Sequence, residues 1–319
     1  MQHNQKFIVS HPPFWHDGSS INQRSYQTML AALPAAVVGM LLYGMPAVGV
    51  LCLSVSSAIF WELLMNYATK RPVTIADGNA AVIGLLFGML LPATMPWWAV
   101  IVGTLVAVVI GKHIFGGIGS NPFNPVAVSM AILSISWKNL FDFNEALAGY
   151  DFGFVMTYPL ATLKSFGLEA TGVYDITGMF FGLQAGGIGA GCGIALIIGG
   201  IYLIARGIIR WEIVVGFIAG IVGTAFLFYL FNPAQYASPL FHLFTGYTLI
   251  GAIFLATEDS SSPVNFIPML IFGAGTGILT VLIRNIGAYI DGVILAILLM
   301  NALNPLLDKI RPKAIGKVM

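Results

Sequence analysis

Long apolar runs separated by short polar segments make up most of this chain of 319 residues. Several runs reach about 20 residues, the length that an α-helix needs to cross the hydrocarbon core of a bilayer. Only 8% of the residues are charged, whereas an average soluble domain has about 25%. Because such a chain cannot cover itself with polar surface, we predict an all-α polytopic membrane protein.

The apolar runs predict about ten membrane helices, several of which look too short to span. Their predicted bounds are 27–44, 46–66, 78–92, 96–115, 122–137, 188–206, 211–231, 243–257, 266–284 and 291–307. The third, fifth, eighth and tenth are the short ones. Irregular backbone is tolerated at membrane depth only where protein or a cavity satisfies its polar groups. Short, broken helices therefore indicate a buried site within the bundle.

The positions of lysine and arginine predict the orientation of the chain. With ten spans, eleven basic residues fall on the side of the two termini: Lys6, Arg24, Lys70, Arg71, Lys112, Arg206, Arg210, Lys309, Arg311, Lys313 and Lys317. The other side receives Lys138, Lys164 and Arg284. Because basic residues are retained in the cytoplasm, we expect both termini there. The polar first 25 residues carry no apolar stretch behind a basic start, so we expect no cleavable signal peptide.

One long segment of mixed polarity, 138–187, divides the chain. We expect 1–137 to hold a tail and the first five-helix half, 138–187 to form an extracytoplasmic loop segment, and 188–319 to hold the second half and a cytoplasmic tail. The third run of each half opens with glycine and is short. An odd number of spans per half would invert the second half relative to the first.

The two cysteines exclude several kinds of site. Cys52 and Cys192 both lie in apolar runs, and the sequence has no Cys-x-x-Cys pair. A disulfide framework, a cysteine zinc site and a complete iron–sulfur cluster are therefore not expected in this chain. The net charge of +1 gives no indication of nucleic-acid binding.

The stretch GGIGSNPFNP, Gly116 to Pro125, must interrupt the helix before it. Proline removes a backbone donor and disfavours helix for the residue before it, and two Asn-Pro pairs occur here. One interpretation is a tight loop. The other is a broken-helix site, in which Gly116, Gly117, Asn121 and Asn124 bring backbone and amide groups to a ligand or an ion.

Acidic residues at the ends of apolar runs are candidates for an ion pathway, because charge is costly at membrane depth. They are Asp77, Glu258, Asp259 and Asp291. Each has a structural alternative: Asp77 fits a helix cap, Glu258 and Asp259 fit a solvated turn, and Asp291 fits packing between helices. For Glu62 we expect an approach to the membrane interface. His113, beside Lys112, is expected to snorkel there, and the alternative is a contact with a bound phosphate or an anionic lipid.

Several stretches together resemble the RnfD and NqrB family of membrane redox subunits. They are DGNAAVIGLLFGMLLP, GGIGSNPFNP and, in the second half, HLFTGYTLIGAIFLATED. The resemblance covers about residues 7–313 and is closer to RnfD, because the central segment is short. It implies a ten-helix subunit of a bacterial or archaeal inner-membrane complex that moves electrons between ferredoxin and NAD and pumps Na⁺ or H⁺. Implied partners are an iron–sulfur or NAD-binding peripheral subunit, a second covalent-flavin subunit and further membrane subunits.

The resemblance also implies an FMN that a flavin transferase joins through its phosphate to a threonine, in a pattern close to D-x-x-S-x-A-T-P-L. In YDFGFVMTYPLATLK, Asp151 precedes Thr157 by six residues and Pro159 follows, so Thr157 is the expected carrier. An extra Tyr158 separates Thr157 from the proline. Alignment from the proline would make Tyr158 the carrier, and Thr162 is a further alternative. A second, noncovalent flavin such as riboflavin is expected near 116–125.

Two other functions remain open at this point. Inverted halves with broken helices are also typical of channels and transporters, so a flavin-free protein of that class is one alternative. A structural subunit that has lost its flavin is the other. We expect no complete active site and no metal site in the chain itself, so the whole complex would be the enzyme.

Overall fold

The computed structural model describes residues 20–151 and 153–310. Throughout these two ranges the regular elements are helical and no strand occurs, which confirms the all-α prediction. The α-helices are α1 Ile21–Tyr43, α2 Met45–Ala68, α3 Asn79–Leu90, α4 Trp97–Leu105, α5 Pro125–Ser136, α6 Phe143–Ala146, α7 Pro159–Phe166, α8 Ile176–Phe181, α9 Gly193–Ala205, α10 Trp211–Phe231, α11 Pro239–Phe244, α12 Thr248–Ile250, α13 Phe266–Asn285 and α14 Val293–Leu307. Helix α4 continues as a π-helix over Val106–Ile110, and α12 continues as one over Gly251–Leu255.

Five helical stretches are long and apolar enough to cross a membrane, which confirms a multi-pass membrane protein. They are Ile21–Tyr43, Met45–Ala68, Trp97–Phe115, Trp211–Phe231 and Phe266–Asn285. Each of the ten predicted runs contains helical residues. Helices α3, α5, α9 and α14 have only 12, 12, 13 and 15 residues, or about 18–23 Å of the roughly 30 Å that a span needs. The number of spans and the inversion of the halves stay predictions.

The sixth run is shorter than its apolar composition suggests, because irregular backbone precedes α9. That backbone caps the end of α3: the Ile188 N–H donates to Leu91 O at 3.0 Å, and the Gly189 N–H donates to Met89 O at 2.8 Å. The Tyr247 hydroxyl donates to Leu90 O at 2.9 Å. Carbonyls at a helix end need such partners. Helix α3 can therefore end inside the bundle, where the second half satisfies it.

Glycines let α10 and α13 pack backbone against backbone. A Cβ on Gly216 would lie 2.8 Å from Leu270 O, and one on Gly277 would lie 2.7 Å from the Ile221 nitrogen. Small residues at such contacts let membrane helices approach closely, and dispersion forces then stabilise the pair. The long helices of the second half are held together in this way.

We expect Gly216→Leu to destabilise the protein by about 1–3 kcal/mol, because the crossing has no room for a side chain. The matched control is Gly223→Leu on the same helix, where an added Cβ meets nothing within 4 Å. The thermal unfolding midpoint in detergent should fall for the first variant only. Equal midpoints for the two variants would contradict the close packing.

The helix contacts of the two halves correspond. In the first half, α2 packs on α4 and α1 packs on α3. In the second half, α10 packs on α13, and α9 packs on the π-helix that follows α12. Contacts of α1 with α9 and of α5 with α14 join the halves. These contacts do not give the relative direction of the two halves, so their inversion stays a prediction.

The segment 138–187 is predicted to be a loop, yet it contains the short helices α6, α7 and α8. Asp142 and Asp175 cap the first and the last of these helices. The segment packs on the bundle at the end where α1 stops: the Tyr43 hydroxyl donates to Gly186 O at 3.1 Å, and the Lys164 amine donates to Gly287 O at 2.7 Å. We call this the segment end of the bundle.

The opposite end, where α1 begins, is called the tail end. There Arg24 pairs with Asp259 at 2.6 Å, and Arg71 donates to Gly116 O at 2.7 Å. The basic residues that the sequence assigns to the cytoplasm therefore include several at the tail end. Lys6, Arg311, Lys313 and Lys317 lie outside the described residues.

Candidate functional site

Thr157 lies at the segment end, on the surface, immediately before α7. The residue after it, Tyr158, has extended backbone and precedes Pro159, the first residue of α7. In extended backbone successive side chains point to opposite sides. Thr157 is exposed, whereas Tyr158 and Pro159 are buried.

The three hydroxyl groups that the sequence left open as flavin carriers differ in access. Thr157 is exposed, but Tyr158 is only 4% exposed and Thr162 only 8%. Burial raises the pKa of the Tyr158 phenol well above its ordinary value. The Thr162 hydroxyl donates to Tyr158 O at 3.2 Å. Thr157 is therefore the one hydroxyl of the three that an external enzyme can reach.

Asp151, the first residue of the carrier pattern, is also exposed. Its carboxylate accepts a hydrogen bond from the Gly153 N–H at 3.3 Å, and Gly153 has a positive φ of 70°. Asp151 thus stabilises a turn that only glycine adopts readily.

A cavity of about 460 Å³ opens beside Tyr158 at the segment end. Aromatic rings line it, from Phe143, Tyr158, Tyr247 and Tyr289, together with the carboxylates of Asp142 and Asp291. The Tyr158 ring packs 4.8 Å from the Phe143 ring, and the Tyr158 hydroxyl interacts with the Asp291 carboxylate. Cavities of roughly 300–1,000 Å³ with a few polar groups are typical of cofactor sites. This cavity has the size and lining to receive a planar aromatic ring system.

Asp291 also holds the segment end together. Its carboxylate pairs with Arg284 at 2.9 Å and accepts the Tyr247 N–H at 2.8 Å and the Val293 N–H at 3.1 Å. Arg284 in turn donates to His242 O at 2.8 Å. These hydrogen bonds support the interpretation that Asp291 joins neighbouring helices.

At the tail end, the Asn-Pro loop of the first half meets an acidic turn of the second. The Asn121 amide donates to Glu258 at 2.9 Å and to Phe123 O at 3.0 Å. The Ser260 and Ser261 hydroxyls also donate to the Glu258 carboxylate. Burial raises the pKa of this carboxyl, while the three donors oppose the shift.

Asn124 forms a second connection between the halves. Its Oδ1 accepts from the Ala127 N–H at 3.0 Å and caps α5, and its Nδ2 donates to Leu255 O at 3.0 Å. The Asn124 N–H donates to Asn301 Oδ1 at 3.1 Å. The loop is therefore more than a tight turn, because it satisfies the broken ends of helices in both halves.

A smaller cavity, of about 210 Å³, lies between the halves at the tail end. Arg24, Asn121, Asn124, Glu258 and Asp259 line its polar part. The other candidate site residues near the tail end do not line this cavity. Gly116 and Gly117 form a turn with positive φ of 120° and 106°, and Asp77 accepts the Asn79 N–H at 2.8 Å as a cap of α3.

Comparison with known proteins agrees with the resemblance seen in the sequence. A family model described as "NQR2, RnfD, RnfE family" matches residues 8–316. The chain belongs to this family.

Relatives in this family share about a third of their residues with the chain. A subunit of the proton-translocating ferredoxin:NAD(+) oxidoreductase complex of Clostridium ljungdahlii is 36% identical over 310 residues, covering 95% of this chain and 94% of the relative. A subunit of the ion-translocating oxidoreductase complex of Halorhodospira halophila is 32% identical over 333 residues, covering 91% and 90%. The corresponding protein of Stutzerimonas stutzeri, which has the same name, is 32% identical over 329 residues, covering 94% and 93%.

A cluster of buried charged side chains surrounds Glu62 in this member of the NQR2, RnfD, RnfE family. Lys112 pairs with Glu62 at 2.9 Å, and the two side chains are only 2% and 1% exposed. His113 Nε2 also lies 2.9 Å from Glu62, and Thr74 donates to the same carboxylate at 2.7 Å. The predicted snorkelling of His113 is therefore wrong, because its side chain is only 4% exposed and lies against Glu62; the approach of Glu62 to the membrane interface stays a prediction. Lys112 and Glu62, which are 50 positions apart in the chain, form an ion pair inside the protein.

The predicted acids of the family member do not form one cluster. Glu258 and Asp259 line the tail-end cavity, whereas Asp291 lines the cavity at the segment end. The described residues contain no group of three or more His, Cys, Asp or Glu that could hold a metal ion. Sequence reasoning missed Phe143, Tyr247 and Tyr289 as lining residues; their only signal was their position at the edges of apolar runs.

Proposed function

We propose that the chain is the electron-carrying membrane subunit of an ion-translocating oxidoreductase complex, with FMN esterified to Thr157. Family membership and the names of the relatives support the complex. The observation that supports the flavin carrier is the exposed Thr157 hydroxyl beside buried alternatives. Bound FMN would supply one-electron and two-electron transfer, while the protein supplies orientation and electrostatics.

The chain's own residues fit such a group at the segment end. Thr157 would carry the phosphate, and we assign the aromatic cavity to the flavin ring because its volume and aromatic lining suit a planar ring system. Tyr247 and Tyr289 offer aromatic surface there. The Tyr158 hydroxyl, which interacts with the Asp291 carboxylate, also lies in the lining of this cavity.

A second flavin has weaker support at the tail end. The cavity there, about 210 Å³, is below the range typical of cofactor sites. The amide groups of Asn121 and Asn124 already pair within the chain. We propose instead that Glu258 and Asp259 belong to a route for Na⁺ or H⁺, because carboxylate oxygens suit both and the cavity separates the halves.

The remaining features of the proposal concern the assembly. We propose ten spans in two inverted halves, termini in the cytoplasm and a location in a bacterial or archaeal inner membrane. The partners are an iron–sulfur or NAD-binding peripheral subunit, a second covalent-flavin subunit, other membrane subunits, the lipid bilayer and a flavin transferase.

The test of the flavin is direct. The subunit is purified from cells with and without a flavin transferase, denatured, and viewed under ultraviolet light in a gel. With the transferase, we expect a fluorescent band, an intact mass raised by one FMN ester, and a modified peptide that contains Thr157. A colourless subunit of unmodified mass would contradict the proposal.

A flavin-free transporter is the second candidate function. The supporting observation is the tail-end cavity between the halves, which contains buried Glu258. Ion flux into liposomes that contain only the flavin-free chain would favour this function over electron transfer.

A further inference from the structure

The Tyr174 hydroxyl contacts both threonines of the carrier segment. It lies 2.6 Å from Thr157 Oγ1, 2.9 Å from Thr157 O and 2.9 Å from Thr162 Oγ1. Tyr174 follows the 3₁₀ turn Glu169–Val173 and is only partly buried. Thr157, just before α7, and Thr162, within it, therefore both contact the Tyr174 phenol.

Each of the three hydroxyl groups has a single proton to donate, which assigns the direction of these bonds. The Thr157 carbonyl can only accept, so its bond takes the Tyr174 proton. Thr162 has its own acceptor, Tyr158 O, at 3.2 Å. When the Tyr174 proton goes to the Thr157 carbonyl, the contact between Thr157 Oγ1 and Tyr174 uses the Thr157 proton. In that arrangement the lone pairs of Thr157 Oγ1 are not used by Tyr174, and the residue is exposed.

We propose that Tyr174 is a positioning residue for the modification of Thr157. This inference rests on the proposed flavin attachment. The phenol holds the threonine in one rotamer and directs an Oγ1 lone pair toward an approaching phosphorus atom. Correct orientation of a nucleophile before reaction lowers the barrier, since less entropy is lost in the transition state.

The step itself balances without any redox change. Thr157 Oγ1 forms a bond to the flavin phosphate of a flavin adenine dinucleotide, and the bond from that phosphorus to the oxygen of the adenylate phosphate breaks. Adenosine monophosphate leaves, and the hydroxyl proton of Thr157 is released. The ester oxygen can no longer donate to Tyr174. Thr162 can replace it by turning its proton from Tyr158 O toward the phenol, so the network stays satisfied after modification.

The experiment measures flavin transfer to the full-length subunit in detergent. Subunit made without transferase is mixed with purified transferase and FAD, and fluorescence in denaturing gels is followed over time at several subunit concentrations. We expect Tyr174→Phe to lower the maximal rate about tenfold, or about 1.4 kcal/mol, the upper end of one neutral hydrogen bond. The subunit concentration that gives half the maximal rate should not change, because docking is intact.

The matched control is Thr171→Val, which removes a hydroxyl bonded to Leu168 O at 2.6 Å on the same 3₁₀ turn. This variant should be modified at the wild-type rate. A wild-type rate for Tyr174→Phe would overturn the inference. So would an equal loss in Thr171→Val, or a raised half-saturating concentration, because both indicate a loosened segment. Wild-type subunit that accepts no flavin would overturn the flavin attachment as well.

Discussion

Thr157→Ala is expected to leave the subunit without any covalently bound flavin and to reduce electron transfer through the complex to background. The reason is access: Thr157 is exposed, whereas Tyr158 and Thr162 are buried and cannot replace it. The variant should still fold, since exposed substitutions usually change stability by no more than about 0.5 kcal/mol and one hydrogen bond adds about 1 kcal/mol. Fluorescence of the denatured subunit and its intact mass provide the measurement.

Three control variants separate attachment from folding. Thr157→Ser retains a hydroxyl at the same place and should be modified. Tyr158→Phe and Thr162→Val should also carry the flavin, because neither removes the Thr157 nucleophile. If Thr157→Ala kept its label and Thr162→Val or Tyr158→Phe lost it, the carrier would be one of the buried residues.

Lys112→Met is expected to have the largest effect on stability, about 3–5 kcal/mol, because it leaves Glu62 as a buried charge without its main partner. The pair is almost fully buried and its atoms are 2.9 Å apart. The expected result is a steep fall in the amount of folded subunit in the membrane and in its thermal unfolding midpoint in detergent. Thr74 and His113 remain beside the carboxylate, yet neither replaces a lysine amine.

The matched control is Arg24→Met, which removes the ion pair with Asp259. That pair is 38% and 69% exposed, and exposed pairs contribute only about 0–1 kcal/mol. The double variant Glu62→Gln with Lys112→Met should recover part of the loss, because it removes both charges together. Equal effects of Lys112→Met and Arg24→Met would show that the Lys112–Glu62 pair is not buried in the membrane-embedded protein.

The sequence alone was enough to predict a helical, multi-pass membrane protein and membership in the NQR2, RnfD, RnfE family. Hydrophobic runs and helix-breaking residues are local signals, because the bilayer and the missing N–H of proline act on each segment separately. The same signals predicted the short helix α3 and the interruption before α5. Motif resemblance and residue spacing identified Thr157 as a candidate.

The tertiary structure decided which side chains meet. Asn121 and Glu258 are 137 positions apart and Lys112 and Glu62 are 50 apart, and no periodic pattern in the sequence encodes such pairs. The sixth run is long in composition, but backbone hydrogen bonds to α3 keep part of it from forming helix. Likewise, the sequence favoured Thr157 as the flavin carrier but left Tyr158 and Thr162 open as alternatives. Only packing buries Tyr158 and Thr162, leaves Thr157 exposed and brings Tyr174 to its oxygen, because burial depends on contacts between segments distant along the chain.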